Sequence, residues 1–325
     1  MPPTTPITLP IAGHLIDIHG LSDIPPSATH ITCLWLFHGR LRRKEDMADI
    51  ASRSVRAWNQ SPGAGAAGTR GLIALAFDQR NHGSRLVHAV ANESWRAGNE
   101  THAQDMFSTV VGGVVEVGVL MDVVGSYLFR GEEGRVIDRH IAFGFSMGGH
   151  SVWELMFAEP RVRAGVVVVG CPDYMKLISE RARKSKLSTA AESGAFLGSK
   201  DFPPALVETC RKYDPKAMLF GTGEVPPPGN YPEHTRAILA DRLRGKKFLL
   251  CSGGDDRLVP YSCAEPFLKW FKDATGSWLK GEDISVEDIV YPGIGHAFEG
   301  KMITDALRFI VDNVDDHSGK PSPKI

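Results

Sequence analysis

The 325-residue chain has little that would direct it to a nucleic acid or a membrane. Its 37 basic and 38 acidic residues leave a formal net charge of −1, so the composition gives no electrostatic argument for a polyanionic partner. No stretch approaches about 18 uninterrupted apolar residues, and the amino terminus has no basic region followed by an apolar one. We expect no membrane span, no nucleic-acid partner and a cytoplasmic location.

A second location stays open at the carboxyl terminus. The final Pro-Lys-Ile faintly resembles the Ser-Lys-Leu peroxisomal address, which leaves the peroxisome as the lesser alternative.

Cysteine is scarce and does not follow a recognisable spacing. An odd number of scattered thiols argues against a disulfide framework and predicts reduced, mostly buried side chains. The five are Cys33, Cys171, Cys210, Cys251 and Cys263. His82 and His88 are the best candidates for metal ligands, but the sequence has no H-E-x-x-H and no Cys/His cluster at zinc spacing. We expect no metal and no cofactor.

One glycine-rich stretch imitates a dinucleotide-binding motif. Residues 63–68 match G-x-G-x-x-G letter for letter. That motif must follow a strand and open a helix, whereas this stretch follows helical residues 45–59 and precedes an apolar strand at residue 72. We interpret it as a loop without a cofactor role.

Short apolar runs alternate with helical stretches along most of the chain. Strands separated by helices predict an α/β fold with a mostly parallel central sheet and helices on both faces. A long helix at 103–128, apolar at every third or fourth position, is expected to cover the central strands. The predicted strands are 31–37, 72–77, 136–145, 164–169, 247–251 and 286–291.

The alternation stops between residues 172 and 244, where about seventy residues replace a short connection. We predict that 172–244 form a cap inserted into a core made of 1–171 and 245–314. Insertions that cover a site often set its specificity. The polar, proline-containing residues 315–325 are predicted to be a disordered tail.

Ser146 lies at the centre of Gly144-Phe145-Ser146-Met147-Gly148, a G-x-S-x-G pattern. An apolar strand precedes it and a helical pattern follows. This context is typical of a nucleophile elbow, a strained turn that exposes one serine hydroxyl. Ser146 is therefore a candidate nucleophile, and a plain glycine-rich turn is the alternative.

A serine hydroxyl needs a base and an orienting carboxylate to act as a nucleophile. In this kind of site they follow the serine in the order acid, then histidine. His296, in a Gly-Ile-Gly-His turn after a predicted strand, is the candidate base. Asp255 and Asp256 both follow the strand at 247–251 and are the candidate acids.

Together these segments resemble the α/β-hydrolases, in that family's order, from about residue 30 to 312. Asp256 begins a D-x-x-V-P segment similar to the family's acid loop, so the resemblance selects Asp256 and leaves Asp255 to the turn. It also implies an oxyanion hole made by the backbone N–H groups of Met147 and Arg40. His38, two residues before Arg40, is interpreted as a packing and hydrogen-bonding residue.

A further segment supports the resemblance. Residues 71–84 are similar to the stretch with D-x-R-G-H-G-x-S found in many esterases and lipases of this fold, with Asn81 where glycine is usual. The general likeness is to intracellular esterases, acyl-peptidases and thioesterases.

The resemblance implies a serine hydrolase that cleaves a carboxylic ester, thioester or lactone of a small molecule through an acyl-enzyme on Ser146. An acyltransferase with the same triad and a non-catalytic binding protein are the alternatives, and oligomeric state stays open. A basic cluster beside the oxyanion loop is either a solvated face or a binding site for a substrate carboxylate or phosphate. The cluster is Arg40, Arg42, Arg43 and Lys44.

Overall fold

The computed structural model describes residues 5–67, 70–131, 134–191 and 195–315. The predicted disordered tail beyond Asp315 and the last glycine of the glycine-rich stretch lie outside these residues.

The centre of the molecule is an eight-stranded sheet in the order β1-β2-β4-β3-β5-β6-β7-β8. The strands from β4 to β8 pair in parallel, while the β1–β2 hairpin adds two antiparallel strands at one edge. This confirms the predicted mostly parallel sheet. The strands are β1 Ile7–Ile11, β2 His14–His19, β3 His30–Phe37, β4 Arg70–Phe77, β5 Val136–Phe145, β6 Val162–Val168, β7 Lys247–Gly253 and β8 Ser285–Tyr291.

Helices cover both faces of the sheet. Helices α1 and α10 pack on one face, and α3, α4, α8 and α9 contribute to the apolar cluster on the other. The helices are α1 Ala48–Asn59, α2 Pro62–Ala67, α3 His102–Leu128, α4 Met147–Ala158, α5 Tyr174–Lys184, α6 Pro204–Tyr213, α7 Pro215–Phe220, α8 Glu233–Leu243, α9 Tyr261–Gly276 and α10 Lys301–Val314.

All six predicted strands are present, but the β1–β2 hairpin was not predicted. Its two-residue turn, Ala12-Gly13, has positive φ at both residues (50° and 82°). Such turns suit hairpins, and Asn-Gly or Asp-Gly is their usual sequence signal. Alanine at the first position gives no such signal, so the sequence does not predict these two short strands.

The glycine-rich stretch lies after a helix and before a strand, as expected, but its first part is the short helix α2. The expectation of a loop is therefore wrong for residues 63–67. Pro62 at the first helical position has a preset φ, and the alanines that follow favour a helix.

Helix α3 is unusually long and apolar. Its 18-residue window of highest hydropathy averages 1.8, enough by length and composition to cross a membrane. Buried positions make up 56% of that window, since α3 packs against the sheet and α4. A core helix passes the same test, so the helix is weak evidence for a span.

The segment 172–244 contains α5 to α8 between β6 and β7. Parts of α5 and α6 form a separate apolar cluster with the start of α3, which includes Phe107, Tyr174, Ile178 and Phe202. Helix α8 instead buries Leu239 and Leu243 in the main core, as a helix that connects two parallel strands does. The boundaries of a cap stay a prediction.

The five cysteines are all buried and free, as expected of reduced structural thiols. Seven histidines are also buried, and for four of them burial lowers the pKa to about 4 (His38 and His140) or to about 3 (His102 and His150). They are therefore neutral in the folded protein at neutral pH.

An ion pair fixes the loop after β3 to the sheet. Lys44 Nζ donates to Asp17 Oδ2 on β2 at 2.7 Å, and Thr8 Oγ1 donates to the other carboxylate oxygen at 2.6 Å. Both charged side chains are less than a tenth exposed. The Lys44 backbone N–H also donates to Asp78 after β4, so this residue joins three segments.

Lys44→Met leaves the Asp17 carboxylate buried without its cation. We expect a loss of about 3–5 kcal/mol in the free energy of unfolding, measured by urea denaturation, because an uncompensated buried charge is costly. Lys269→Met is the matched control, since Lys269 forms an exposed pair with Glu265. It is expected to change stability by less than about 1 kcal/mol. Equal effects of the two substitutions would contradict the prediction.

The four histidines with strongly lowered pKa values predict acid sensitivity. Each lowered pKa means that the unfolded chain, with an ordinary histidine pKa near 6.5, binds protons that the folded chain does not. Stability is therefore complete above that value and falls as the pH drops below it. At about pH 5.5 each histidine lowers the free energy of unfolding by about 1.4 kcal/mol relative to about pH 7.5. Urea midpoints that coincide at the two pH values would refute this.

Candidate active site

Ser146 stands at the turn between β5 and α4. Its backbone angles, φ 57° and ψ −114°, lie in a region that side chains with a Cβ rarely adopt. The flanking glycines make the turn possible: a Cβ on Gly144 would lie 2.0 Å from the Gly148 oxygen, and one on Gly148 would lie 2.2 Å from the Phe37 oxygen. This is the geometry expected of a nucleophile elbow.

His296 forms hydrogen bonds with the other two predicted catalytic side chains. Its Nε2 is 2.8 Å from Ser146 Oγ, and its Nδ1 is 2.7 Å from Asp256 Oδ2. Because an ionised carboxylate only accepts hydrogen bonds, Nδ1 carries the proton and donates to Asp256. Nε2 is then the acceptor for the Ser146 hydroxyl, which is the arrangement that a general base requires.

Asp256 is held in the loop after β7. Its second oxygen, Oδ1, accepts the backbone N–H groups of Leu258 at 2.8 Å and Val259 at 2.9 Å. Burial alone would raise the Asp256 pKa, but the hydrogen bond from His296 and these amides outweigh it, so the pKa is lowered. Asp255 is exposed and uses its backbone N–H to bond Ile294, which agrees with the turn role expected of it.

The histidine loop and the acid loop are packed closely together. A Cβ on Gly253, at the end of β7, would lie 2.3 Å from the Gly295 oxygen, so only glycine fits there. The Gly254 and Asp255 backbone N–H groups donate to Tyr291 and Ile294. These contacts fix the distance between the base and the acid.

His38 has the structural role that was expected. Its Nδ1 donates to the Gly39 carbonyl at 2.8 Å and its Nε2 accepts the Gln79 backbone N–H at 3.0 Å. Gln79 returns a side-chain bond to the His38 carbonyl. With both ring nitrogens engaged, His38 holds the segment that leads to Arg40 and is not available as a base.

The two predicted oxyanion donors border the same cavity as Ser146 and His296. Met147 is the first residue of α4, so its N–H has no acceptor within the helix, and the positive end of the helix dipole faces the nucleophile. Arg40 lies in the loop after β3 and also lines the cavity. Their role as oxyanion donors stays a prediction.

The cavity has a volume of about 460 Å³. The oxyanion loop, the acid loop and helix α5 line it, so part of the predicted cap reaches the site. Arg42 lies at the rim with its side chain 61% exposed, while Arg43 and Lys44 pair with acidic neighbours away from the cavity. Of the basic cluster, Arg40 and Arg42 line the cavity, and Arg40 is the more buried of the two.

Arg181 on α5 also lines the cavity, and sequence reasoning did not single it out as a site residue. Leu177, Arg181 and Lys184 recur at intervals of four and three residues and all line the cavity. This spacing places them on one face of the helix, and it is the signal that would have indicated a cavity-facing basic side.

The structure shows why asparagine fits at position 81, where the segment that residues 71–84 resemble usually has glycine. Its φ is 58°, a left-handed conformation that asparagine tolerates better than most residues other than glycine. Its side chain accepts the backbone N–H groups of Val87 and His88 and donates to Asn92. The Asn81 side chain therefore organises the loop that carries Asn92, whose backbone carbonyl accepts a hydrogen bond from Arg40.

No protein-family model matches the sequence, and the comparison with curated proteins also found no match. Solved structures do share the fold. TT1662 from Thermus thermophilus is 17% identical with a TM-score of 0.57, over 96% of this chain and 98% of that chain. The 2,6-dihydroxy-pseudo-oxynicotine hydrolase is 13% identical with a TM-score of 0.50, over 100% and 71%.

Dipeptidyl peptidase 4 of Porphyromonas gingivalis is 15% identical with a TM-score of 0.52, over 95% of this chain and 35% of that chain. Identities this low show a common fold and no more. The mostly parallel sheet and the helices on its two faces agree with these neighbours. The chain therefore has the α/β-hydrolase fold.

Proposed function

We propose that this protein is a serine hydrolase that cleaves a carboxylic ester, thioester or lactone of a small molecule through an acyl-enzyme on Ser146. The observation that carries the proposal is the pair of hydrogen bonds at His296, 2.8 Å to Ser146 and 2.7 Å to Asp256. This contact requires three loops distant in sequence to meet, and it supplies nucleophile, base and orienting acid together.

The first step forms the acyl-enzyme. His296 Nε2 takes the proton of the Ser146 hydroxyl as Oγ attacks the carbonyl carbon, and the carbonyl oxygen becomes an oxyanion. The imidazolium that forms is stabilised by Asp256, whose lowered pKa keeps it ionised at neutral pH. His296 then gives its proton to the leaving oxygen or sulfur as the bond to the acyl carbon breaks.

The second step repeats this chemistry with water. His296 removes a proton from a water molecule that attacks the acyl carbon, and the proton returns to Ser146 Oγ as the acid leaves. In both steps the backbone N–H groups of Met147 and Arg40 stabilise the oxyanion. Each such donor is commonly worth roughly 10²- to 10³-fold in rate.

The nucleophile assignment predicts selective covalent labelling. A fluorophosphonate probe is expected to label the wild-type protein and not Ser146→Ala, because only an activated serine attacks phosphorus at a useful rate. Hydrolysis of p-nitrophenyl butyrate is expected to fall by at least roughly 10⁴-fold in the same variant. Ser94→Ala is the matched control, since Ser94 also lines the cavity. Hydrolysis that survives in Ser146→Ala would reject the mechanism.

The acid assignment predicts a tautomer effect. In Asp256→Asn the side-chain oxygen still accepts from one nitrogen of His296, but the charge that stabilises the imidazolium is lost and the other tautomer becomes available. We expect kcat to fall by roughly 10⁴-fold, with little change in KM. Asp255→Asn is the control, because Asp255 is exposed at the neighbouring position. Similar kcat values for the two variants would show that the acid is misassigned.

A further inference from the structure

We propose that the cavity binds substrates with an anionic group, a carboxylate or a phosphate, and that Arg181 and Arg40 hold this group beside Ser146. The inference rests on the proposed hydrolase function and names the substrate class for that site. It assigns specificity to one side chain from helix α5 and one from the oxyanion loop.

The charge of the cavity wall is strongly one-sided. Six basic side chains line it: Arg40, Arg42, Arg96, Arg181, Lys184 and Arg257. Glu180 is the one acidic residue on the wall among the described residues, and its carboxylate accepts from Arg183 at 2.6 Å. A protein with a net charge of −1 thus concentrates positive charge at its candidate active site. Such a concentration attracts anionic ligands.

Arg181 has only neutral partners. Its Nη1 donates to His102 Nε2 at 3.2 Å and contacts Met106 Sδ at 3.1 Å, and its Nη2 reaches the Leu258 carbonyl at 3.4 Å. Within the part of the chain that the structure describes, no carboxylate forms an ion pair with it. Burial lowers the Arg181 pKa and the nearby charge of Arg40 lowers it further, whereas Asp256 opposes this shift only from beyond ion-pair distance. A desolvated cation without a counter-ion is costly, and a bound anion offsets that cost.

Arg40 is held in the same way. Its Nη1 donates to the Asn92 backbone carbonyl, and the Asn92 side chain donates to the Asn81 carbonyl at 2.6 Å. Glu93 acts on Arg40 only at longer range, and burial lowers the Arg40 pKa despite it. The guanidinium is thus fixed beside the Asn92 loop and within electrostatic range of Arg181, and in the described residues it has no carboxylate partner at ion-pair distance.

His102 lies near both guanidinium groups, those of Arg181 and Arg40. Its Nδ1 donates to the Glu93 carbonyl at 2.7 Å, which leaves Nε2 to accept from Arg181. Burial, then Arg181, then Arg40 lower the His102 pKa to about 3. The imidazole is therefore a neutral support, and both cations lie within electrostatic range of it.

Three other half-buried arginines of this protein are paired with carboxylates, whereas Arg242 donates to the Phe157 carbonyl. Arg70 donates to Asp138 at 2.7 Å, Arg85 binds Glu116 through two nitrogens, and Arg161 binds Glu159. At these three positions the fold itself supplies the counter-ion. Among the described residues, Arg181 and Arg40 have no such carboxylate partner. In our proposal the substrate supplies the missing anion, because guanidinium groups bind carboxylate and phosphate with charge-assisted hydrogen bonds.

The size of the cavity limits the substrate. A volume of about 460 Å³ is near the lower end of the range for small-molecule sites. An acyl group of a few carbons that ends in an anion fits this space, with its carbonyl at Ser146 and its charge at the arginines.

The test compares three p-nitrophenyl esters with acyl chains of similar length that end in a methyl, a carboxylate or a phosphonate group: the valerate, the hydrogen glutarate and the 3-phosphonopropionate. For the wild type we expect kcat/KM to be roughly 10- to 100-fold higher for at least one anionic ester than for the valerate. The anion that gives the larger ratio identifies the terminal group.

Arg181→Gln is expected to reduce the anionic-to-neutral ratio by roughly 10-fold or more, mainly through KM, because the interaction holds the substrate before and during the reaction. Arg181→Lys keeps the charge but loses the planar fork and is expected to retain part of the ratio. Arg211→Gln is the control, since Arg211 pairs with Glu208 on α6 and is not part of the cavity wall. It removes one positive charge and is expected to leave the ratio unchanged.

Equal kcat/KM values for the three esters in the wild type, with the same ratio in Arg181→Gln, would overturn the proposal and leave the hydrolase intact. Absence of both hydrolysis and fluorophosphonate labelling would instead reject the proposed function. In that case calorimetric binding of glutarate and of inorganic phosphate to Ser146→Ala decides. Binding that disappears in the Ser146→Ala/Arg181→Gln protein supports an anion site, and no binding of either anion rejects it.

Discussion

The hydrogen bonds of His296 to Ser146 and Asp256 are the constraint that the arrangement of the site depends on. The three residues follow β5, β7 and β8, so each stands beyond the carboxyl end of a parallel strand. Parallel strands bring these ends to one edge of the sheet, where loops meet although 150 residues separate Ser146 from His296. The sheet order, with β6 between β5 and β7, therefore decides whether the site exists.

Close backbone contacts bring Ser146, Asp256 and His296 from neighbouring loops to within hydrogen-bond distance of one another. Gly144 and Gly148 permit the strained turn at Ser146, and Gly253 lets the acid loop approach the histidine loop. The strain is stored in a well-packed region, since α4 is buried over almost its full length. Strained residues persist where the surrounding structure determines their conformation, which is the situation here.

The sequence was sufficient for the parts that depend on local patterns in a fixed order. The strands before Ser146, Asp256 and His296 were predicted because each is a short apolar run that ends in a glycine turn. The β1–β2 hairpin was missed because its Ala12-Gly13 turn lacks the usual signal. Arg181 was missed for another reason: the basic stretch on α5 has several cations, and which of them faces the cavity depends on how α5 packs against α3 and α6.

The net charge of the chain likewise does not predict the charge around the candidate site, and this local charge affects the proposed reaction. A net charge of −1 conceals the surplus of cations around Ser146. Two guanidinium groups near the site, Arg40 and Arg181, favour the oxyanion of the proposed acyl transfer, because a nearby positive charge stabilises it. Asp256 stabilises the imidazolium of His296 through the hydrogen bond to Nδ1. A substrate that carries a carboxylate or a phosphate supplies the counter-ion that these guanidinium groups lack among the described residues, so such a substrate gains mainly in binding.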